Sequence, residues 1–193
     1  MTLLEELRKE TAELHQQLDN WEVTLRLMSS EVSAIDYFQY LQSFYALHAA
    51  VERSLYREVA RFYPEMAFNQ RLALLEKELH QHQLTAPILD APIDLQEIEG
   101  MRCLGAIYVM EGSRLGGRFI ANHLGKHQAR IGVAEFPFLT EKPAVSWNAF
   151  LAFLATVPDK ERGNVVTAAI YMFNFVRLTL EKAVEIINEK NSI

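Results

Sequence analysis

Apolar residues recur in steps of three and four along most of this chain, which is the spacing of an amphipathic α-helix. A capping box at Thr2 and Glu5 begins the first such stripe. Its members are Leu4, Leu7, Thr11, Leu14, Leu18, Trp21, Leu25 and Met28. The last stripe follows Pro158 and contains Val166, Ile170, Phe173, Arg177, Leu180, Val184 and Ile187. Because no segment alternates convincingly between apolar and polar residues, the sequence predicts an all-α, multi-helix bundle.

Interruptions of this pattern set the expected helix boundaries. We expect helices to begin near residues 2, 33, 69, 95, 147 and 159. The first should run unbroken to Met28, the second should stop at Pro64, and the third should end near Gln83. Residues 126–146 have no helical period and predict a surface connection. No linker is long enough to separate domains, so residues 1–193 are expected to form one domain.

Composition limits the kind of protein. Half of the residues are apolar and 23% are charged, which is ordinary for a globular domain. The formal net charge of −6 disfavours nucleic acid as a partner. No stretch approaches the ~18 apolar residues that span a membrane, so no membrane partner is expected. Cys103 is the only cysteine and cannot form an internal disulfide, which favours the reducing cytoplasm.

Four glycines fall within LGAIYVMEGSRLGGRF, residues 104–119, whose apolar residues otherwise predict a buried helix. A glycine inside a helix is destabilising by about 0.5–1 kcal/mol relative to alanine, so their number needs a reason. Gly105, Gly112 and Gly116 lie near one face, and the adjacent Gly116 and Gly117 favour a bend. Such a smooth face suits either a second helix packed closely against it or a flat ligand lying on the backbone. The spacing leaves both interpretations open.

His15 is a candidate metal ligand. It follows Thr11 by four residues and precedes Leu18 by three, at the border of the first apolar stripe. A neutral imidazole there could point into a pocket and ligate iron. It could equally be a hydrogen-bonded residue at a helix interface, and its position alone does not decide between the two.

The remaining histidines give no convincing metal site. His80 and His82 are two residues apart on a predicted helix and point in different directions. His48 and Glu52 are one turn apart, but a di-iron bundle needs Glu-x-x-His pairs from two helices, and the sequence has none. Surface positions are expected for His123 and His127.

Four segments together resemble the heme oxygenase family, in the form found in its bacterial members. LRKETAELHQQLD, residues 7–19, resembles the proximal helix of that family. SFYALHAAVE (43–52) is similar to its second core helix, and YVMEGSRLGG (108–117) is similar to its distal helix. AAIYMFNFVRLTLE (168–181) is similar to its final helix. The four matches follow the family's order along the chain.

The resemblance implies a proximal site on the first helix. His15 would be the axial ligand of the heme iron. Asp19, one turn further, would accept the other ring N–H and thereby fix the tautomer, where the family more often has glutamate. Arg8, two turns before His15, matches the basic residue of the family that binds a heme propionate.

Across the pocket, the resemblance implies a distal segment at Gly112, Ser113, Gly116 and Gly117, with the first three as candidate catalytic positions. Their exposed backbone would lie close over the ring and leave room for O2. Ser113 or an adjacent residue stands where animal members carry an aspartate that organises a proton-donating water. Bacterial members also lack this aspartate, so the resemblance is still compatible with activity.

Further heme contacts are implied on other helices. Tyr171 and Asn174 match an aromatic residue and a pocket amide of the family's final helix, although either could also be ordinary core. The predicted helix at 147–156 lacks the cations that animal members direct at the propionates. Tyr108 and Arg177 are our candidate substitutes for those cations.

By resemblance, the protein would be a heme oxygenase that uses heme b as both cofactor and substrate. It would cleave heme to biliverdin, carbon monoxide and Fe²⁺ with O2 and external electrons. Ferredoxin, flavodoxin reductase or a chemical reductant would supply those electrons. Two alternatives stay open: a non-catalytic heme-binding or heme-sensing protein, and a thiamin-type hydrolase on the same helical fold, which would not need His15 together with a glycine wall.

Overall fold

The structure, a computed structural model, describes residues 1–90 and 92–191. Its helices are α1 (Leu3–Asp19), α2 (Glu22–Leu27), α3 (Ala34–Phe62), α4 (Leu72–Gln81), α5 (Arg102–Gly125), α6 (Gln128–Ile131), α7 (Pro137–Thr140), α8 (Trp147–Leu154) and α9 (Asp159–Asn191). A short 3₁₀ turn, Leu95–Glu97, precedes α5. No β-strand occurs within the described ranges, which confirms the all-α prediction.

Two apolar cores lie side by side in one domain. The first contains residues of α1, α3, α5, α8 and α9, and the second contains residues of α2 to α7. The long helices α3 and α5 contribute to both cores and so join them. No helix in the described ranges is long and apolar enough to cross a membrane. The domain predicted for residues 1–193 includes Ala91, Ser192 and Ile193, which lie outside the described residues.

The single long helix predicted for the N-terminal region is wrong, because the chain forms α1 and α2 instead. It leaves the helical conformation at Asn20 and at Trp21, whose ψ of 135° is extended. Leu7 of α1 packs into the first core, whereas Val23 and Leu27 of α2 pack into the second. The chain must therefore turn between the helices, although each keeps the helical spacing of its own apolar residues.

Positive backbone φ angles explain two other boundaries. The helix expected from Leu95 begins at Arg102, because Gly100 has a φ of +63° that an α-helix cannot contain. The helix expected to reach Gln83 ends at Gln81, since Gln83 itself has a φ of +55°. The second predicted helix does begin after Ser33, whose amide donates to Asp36 at 2.8 Å.

The segment at 126–146, expected at the surface, in fact covers the second core with α6 and α7. Its buried apolar residues are Ile131, Val133, Phe136, Phe138 and Leu139. These residues are not spaced at a helical period, so periodicity did not identify them as core. The surface prediction is wrong at these positions.

Gly105 brings α5 and α9 into main-chain contact. A Cβ built at Gly105 would overlap the carbonyl oxygen of Val165 and would lie 2.8 Å from the Ala169 nitrogen. The facing residues of α9 are themselves small, since Ala168 and Ala169 contribute only methyl groups. Close helix packing, one of the two interpretations of the glycines, is therefore confirmed at Gly105.

A network of buried polar side chains ties α5 to α3 and to the segment after α7. Arg114 of α5 pairs with Glu111 at 2.7 Å and with Glu141, and it donates to the Asn69 carbonyl at 2.7 Å. Tyr56 of α3 donates to Glu111 at 2.9 Å. Because each charge has a partner, the cost of burying it is offset by charge-assisted hydrogen bonds.

Phe138 of α7 is held by a second part of this network. Arg71 lies over the Phe138 ring, 3.8 Å from its centroid, and donates to the Phe138 carbonyl at 2.7 Å. Glu78 accepts hydrogen bonds of 2.6 Å from the Phe138 amide and from the Tyr37 hydroxyl. Both backbone polar groups of Phe138 are thereby satisfied although the residue is buried.

His48 and Glu52 form a buried pair within α3, with His48 Nδ1 2.5 Å from the Glu52 carboxylate. That carboxylate also accepts the amide of Leu72 at 3.1 Å, which fixes the start of α4. Burial lowers the pKa of His48, although the hydrogen bond to Glu52 opposes this shift. The pair is structural: no group of three potential metal ligands occurs in the part of the chain that the structure describes.

Gly105→Ala is expected to lower the free energy of unfolding by about 1–3 kcal/mol, because the added methyl meets backbone atoms of α9 that cannot move independently. Gly163→Ala in α9 is the matched control, since a Cβ at Gly163 meets nothing within 4 Å. The control should be stabilised by up to about 1 kcal/mol. Urea denaturation measures both changes, and equal stabilities would contradict the packing role of Gly105.

The pKa of His48 predicts a pH dependence of stability. A histidine whose folded pKa is lowered stabilises the fold above the unfolded value of about 6.5 and loses that contribution as the pH falls below it. His48→Gln retains a donor for Glu52 but cannot titrate. Between about pH 7 and about pH 5, the unfolding free energy of the wild type should fall more steeply than that of the variant, by up to about 1.4 kcal/mol per pH unit. Parallel stability curves would contradict this role.

Candidate functional site

A cleft with a volume of about 420 Å³ lies between α1 and α2 on one side and α5 on the other, with α9 contributing to its wall. This volume falls in the range of ~300–1,000 Å³ that is usual for small-molecule sites. The wall is mostly apolar and rich in aromatic side chains, which are Trp21, Tyr40, Phe44, Tyr108, Trp147 and Phe173. Such a wall suits a flat, apolar ligand.

The sequence of α1 brings His15 to the edge of this cleft. Leu3, Leu7 and Thr11 form a buried stripe spaced by four residues, and the Thr11 hydroxyl donates to the Leu7 carbonyl at 2.7 Å. His15 and Asp19 continue the same stripe into the part of α1 that is no longer covered. The side chain of His15 is 64% exposed and lines the cleft, so its imidazole reaches open space rather than the core.

The imidazole of His15 is oriented from one side. Nδ1 lies 2.9 Å from a carboxylate oxygen of Asp19, one turn further along α1. Nε2 has no hydrogen-bond partner among residues 1–90 and 92–191. The edge of the ring is in contact with Phe173, with 6.0 Å between the ring centroids. An acceptor at Nδ1 favours the tautomer that leaves the Nε2 lone pair free, which is the state that binds a metal.

Arg8 and Tyr108 supply the polar end of the cleft. Arg8 is the only lysine or arginine among the residues that line it, and it forms no ion pair with any described residue. Burial raises the pKa of Tyr108, and the positive charge of Arg8 opposes this shift. The phenol therefore stays protonated near neutral pH and can act as a donor, next to a cation that can receive a carboxylate.

The glycines of α5 form the wall opposite α1. Gly112, Ser113, Gly116 and Gly117 all line the cleft, and α5 continues through them without interruption. A Cβ at Gly116 would meet nothing within 4 Å, and one at Gly112 would lie 3.6 Å from the Trp147 ring. Unlike Gly105, these two glycines do not contact the backbone of another helix. Their lack of side chains therefore keeps the cleft open. The predicted bend at Gly116 and Gly117 stays a prediction.

Ser113 contributes a second hydroxyl of α5 to the wall, in addition to that of Tyr108. Its Oγ donates to the Met110 carbonyl at 2.6 Å, as serine commonly does inside a helix. The hydroxyl proton is thereby occupied, and Oγ retains acceptor capacity toward the cleft.

Three residues predicted for the site do not line the cleft. The Tyr171 hydroxyl accepts the amide of Asp94, and the Asn174 amide donates to the Ile170 carbonyl within α9. Arg177 donates to both carboxylate oxygens of Glu181 at 3.0 Å, in a neighbouring groove. The assignment of Arg177 as a cation facing the cleft is corrected, because its charge is already paired elsewhere.

Several wall residues were not anticipated from the sequence. Trp147 is the first residue of α8, and Ser146 caps that helix by accepting the Ala149 amide at 3.2 Å. Phe44 of α3 and Trp21 belong to apolar stripes, whose spacing does not distinguish a cleft wall from a core. The sequence does place a serine, a common N-cap residue, directly before Trp147. This pattern indicates where α8 begins, but not that Trp147 lines a cleft.

The fold and the site together define an all-α protein that can hold a flat ligand between a histidine and a glycine-rich helix. A model of the heme oxygenase family matches residues 1–182. The chain therefore belongs to the heme oxygenase family, a class of oxidoreductases that binds heme.

The fold is also that of a solved structure from this class. The heme oxygenase of Neisseria meningitidis, described in its NO-bound and CO-bound forms, is 22% identical to this chain, with a TM-score of 0.73. The likeness covers 96% of this chain and 93% of the Neisseria chain. No curated protein sequence matches the chain significantly.

The residues of the cleft fit heme. The aromatic wall suits a porphyrin ring, Nε2 of His15 has a lone pair that can bind iron, and Arg8 can pair with a propionate. The backbone of α5 at Gly112 and Gly116 faces the cleft without side chains that would fill it.

His15→Ala is expected to remove the axial ligand and change the Soret band of ferric heme added to the protein. Because the His15 side chain is exposed, the free energy of unfolding should change by less than about 0.5 kcal/mol. His80→Ala is the matched control, since His80 is also exposed and does not line the cleft. Absorption spectra of the two heme-loaded variants test the assignment, which an unaltered spectrum of His15→Ala would overturn.

Proposed function

We propose that this protein cleaves heme to biliverdin, carbon monoxide and Fe²⁺, using O2 and electrons from an external donor. The observation that carries the proposal is the pairing of His15 with a glycine-rich stretch of α5 across one aromatic cleft. When bound there, heme b supplies the iron at which O2 is activated and the ring that is oxidised.

The residues on the α1 side of the cleft would bind the heme iron. His15 would hold the iron through Nε2, while Asp19 accepts a hydrogen bond from Nδ1 and favours the tautomer that this requires. A neutral, hydrogen-bonded imidazole is a moderately strong donor to iron. Phe173 limits the rotation of the His15 imidazole through the edge contact between the two rings.

The polar end of the cleft orients the ring within its plane. Arg8 would pair with one propionate, and the Tyr108 hydroxyl would donate to a propionate oxygen. Trp147 packs beside Tyr108, with 5.6 Å between the ring centroids, and so limits where that hydroxyl can lie. Because this end carries the only cation of the cleft wall, it directs the propionates to one side.

The distal residues of α5 leave open space along the cleft wall. Gly112 and Gly116 would leave room for O2 beside a bound heme, and Gly117 also lines this wall, although its missing side chain faces Leu139. Ser113 Oγ, whose proton is donated to the Met110 carbonyl, would accept a hydrogen bond from a water at this wall. Glu111, the carboxylate nearest in sequence, is held by Tyr56 and Arg114 and does not line this cleft.

The electron donor and the cellular location are part of the same proposal. A ferredoxin or a flavodoxin reductase supplies the electrons in the cell, and a chemical reductant replaces it in the test tube. Cys103 is buried and free, and burial raises its pKa to about 12, which keeps the thiol unreactive in a reducing cytoplasm.

Adding hemin and then ascorbate to the protein in air tests the proposal. The Soret band should appear on binding and then decay into the spectrum of biliverdin. A Soret band that persists would instead indicate a non-catalytic heme-binding or heme-sensing protein. If no Soret band of bound heme appeared, both assignments of the cleft would be wrong.

Gly116→Val tests the distal assignment. The added methyls enter open space, so the free energy of unfolding should change by less than about 0.5 kcal/mol. Heme affinity should be retained through His15, whereas single-turnover cleavage should slow by roughly tenfold or more, because the space for O2 is reduced.

Gly163→Val is the matched control for this substitution, because it places the same side chain in open space on α9, away from the cleft. Its turnover should equal that of the wild type. If Gly116→Val also cleaved heme at the wild-type rate, Gly116 would have no distal role.

A further inference from the structure

A second cleft, with a volume of about 590 Å³, lies beside the first. Leu115 and Trp147 belong to the walls of both clefts, so the two cavities are direct neighbours along α5. The volume again falls in the usual range of ~300–1,000 Å³ for a small-molecule site. Apart from Trp147, none of the residues given a role in the proposed reaction lines this second cavity.

The inner wall of the second cleft is aromatic. Phe150 is in contact with Phe68 on one side and with Trp147 on the other, with ring centroids 5.8 Å and 5.7 Å apart. Pro143 and Val145 extend this apolar surface. A wall of this kind favours a flat, conjugated ligand.

The rim of the second cleft carries two cations whose charge is not neutralised. Arg118 and Lys142 line it, both are exposed, and neither forms an ion pair with any residue of 1–90 or 92–191. Arg114, by contrast, is paired with Glu111 and Glu141. Two unpaired positive charges on a chain of net charge −6 favour a ligand that carries carboxylates.

The lining also excludes a ligand that needs axial coordination. No histidine, cysteine, methionine or tyrosine occurs among the described residues of this wall. These are the side chains that usually bind heme iron. The second cleft therefore favours an iron-free tetrapyrrole over heme itself.

We propose that the second cleft binds the open-chain tetrapyrrole product, biliverdin, with its two propionates directed at Arg118 and Lys142. Biliverdin is conjugated, carries two carboxylates and contains no iron, which matches the aromatic wall, the charges and the missing axial ligand. The identity of this ligand rests on the proposed function. Because the two clefts share a wall, biliverdin formed in the first cleft would find its binding site directly beside it.

Equilibrium dialysis of biliverdin against the heme-loaded protein tests the site, because heme fills the first cleft. One biliverdin should bind per protein and gain circular dichroism in its red absorption band. The double variant Arg118→Glu/Lys142→Glu should bind it roughly tenfold more weakly or worse, since two attractive pairs become repulsive. Arg118→Lys keeps the charge and should retain most of the affinity.

Arg53→Glu/Lys77→Glu is the matched control, because both residues are exposed and line neither cleft. It should bind biliverdin as the wild type does. The proposal would be overturned if biliverdin bound only when heme was absent, or if the Arg118→Glu/Lys142→Glu variant bound as tightly as the control.

These outcomes are separable from failure of the proposed function. Biliverdin is supplied in the experiment, so its binding is measured whether or not the protein produces it. If the protein failed to bind or cleave heme, the charge-reversal comparison would still test the second cleft, because Arg118 and Lys142 do not line the first one.

Discussion

The main-chain contact between α5 and α9 at Gly105 is the constraint on which the site depends. It fixes one end of α5 against the helix that supplies Phe173 to the cleft. Further along α5, a Cβ at Gly112 would meet only the ring of Trp147 and one at Gly116 would meet nothing within 4 Å, whereas Gly117 faces Leu139 of α7. One residue type therefore performs two tasks on the same helix: it closes the bundle at Gly105 and keeps the cleft open beyond it.

The buried ion pairs of Arg114 hold the other side of α5. Arg114 connects α5 to Glu141 and to the Asn69 carbonyl, while Tyr56 of α3 supports the partner carboxylate of Glu111. Removing one member of such a network leaves a buried charge without its partner, which is strongly destabilising. Buried ion pairs as well as apolar packing therefore hold α5 in place on the side away from its glycine-lined surface.

The sequence predicted the elements that depend on local pattern and missed those that depend on tertiary packing. The helical class, the cap at Ser33 and the placement of His15 beside Asp19 follow from spacing along one helix. Gly100 and the break at Trp21 were missed because a helical apolar period continues on either side of them. The periodic stripe of α9 also could not reveal that Arg177 is paired with Glu181, since that depends on side-chain conformation.

The two tryptophans of this chain, Trp21 and Trp147, both line the first cleft. All of the intrinsic tryptophan fluorescence therefore originates next to the site. A porphyrin bound there would accept energy from both indoles and quench their fluorescence. Binding to the first cleft could therefore be followed by intrinsic fluorescence alone. The second cleft is lined by Trp147 but not by Trp21, so only one of the two indoles would be in direct contact with a ligand there.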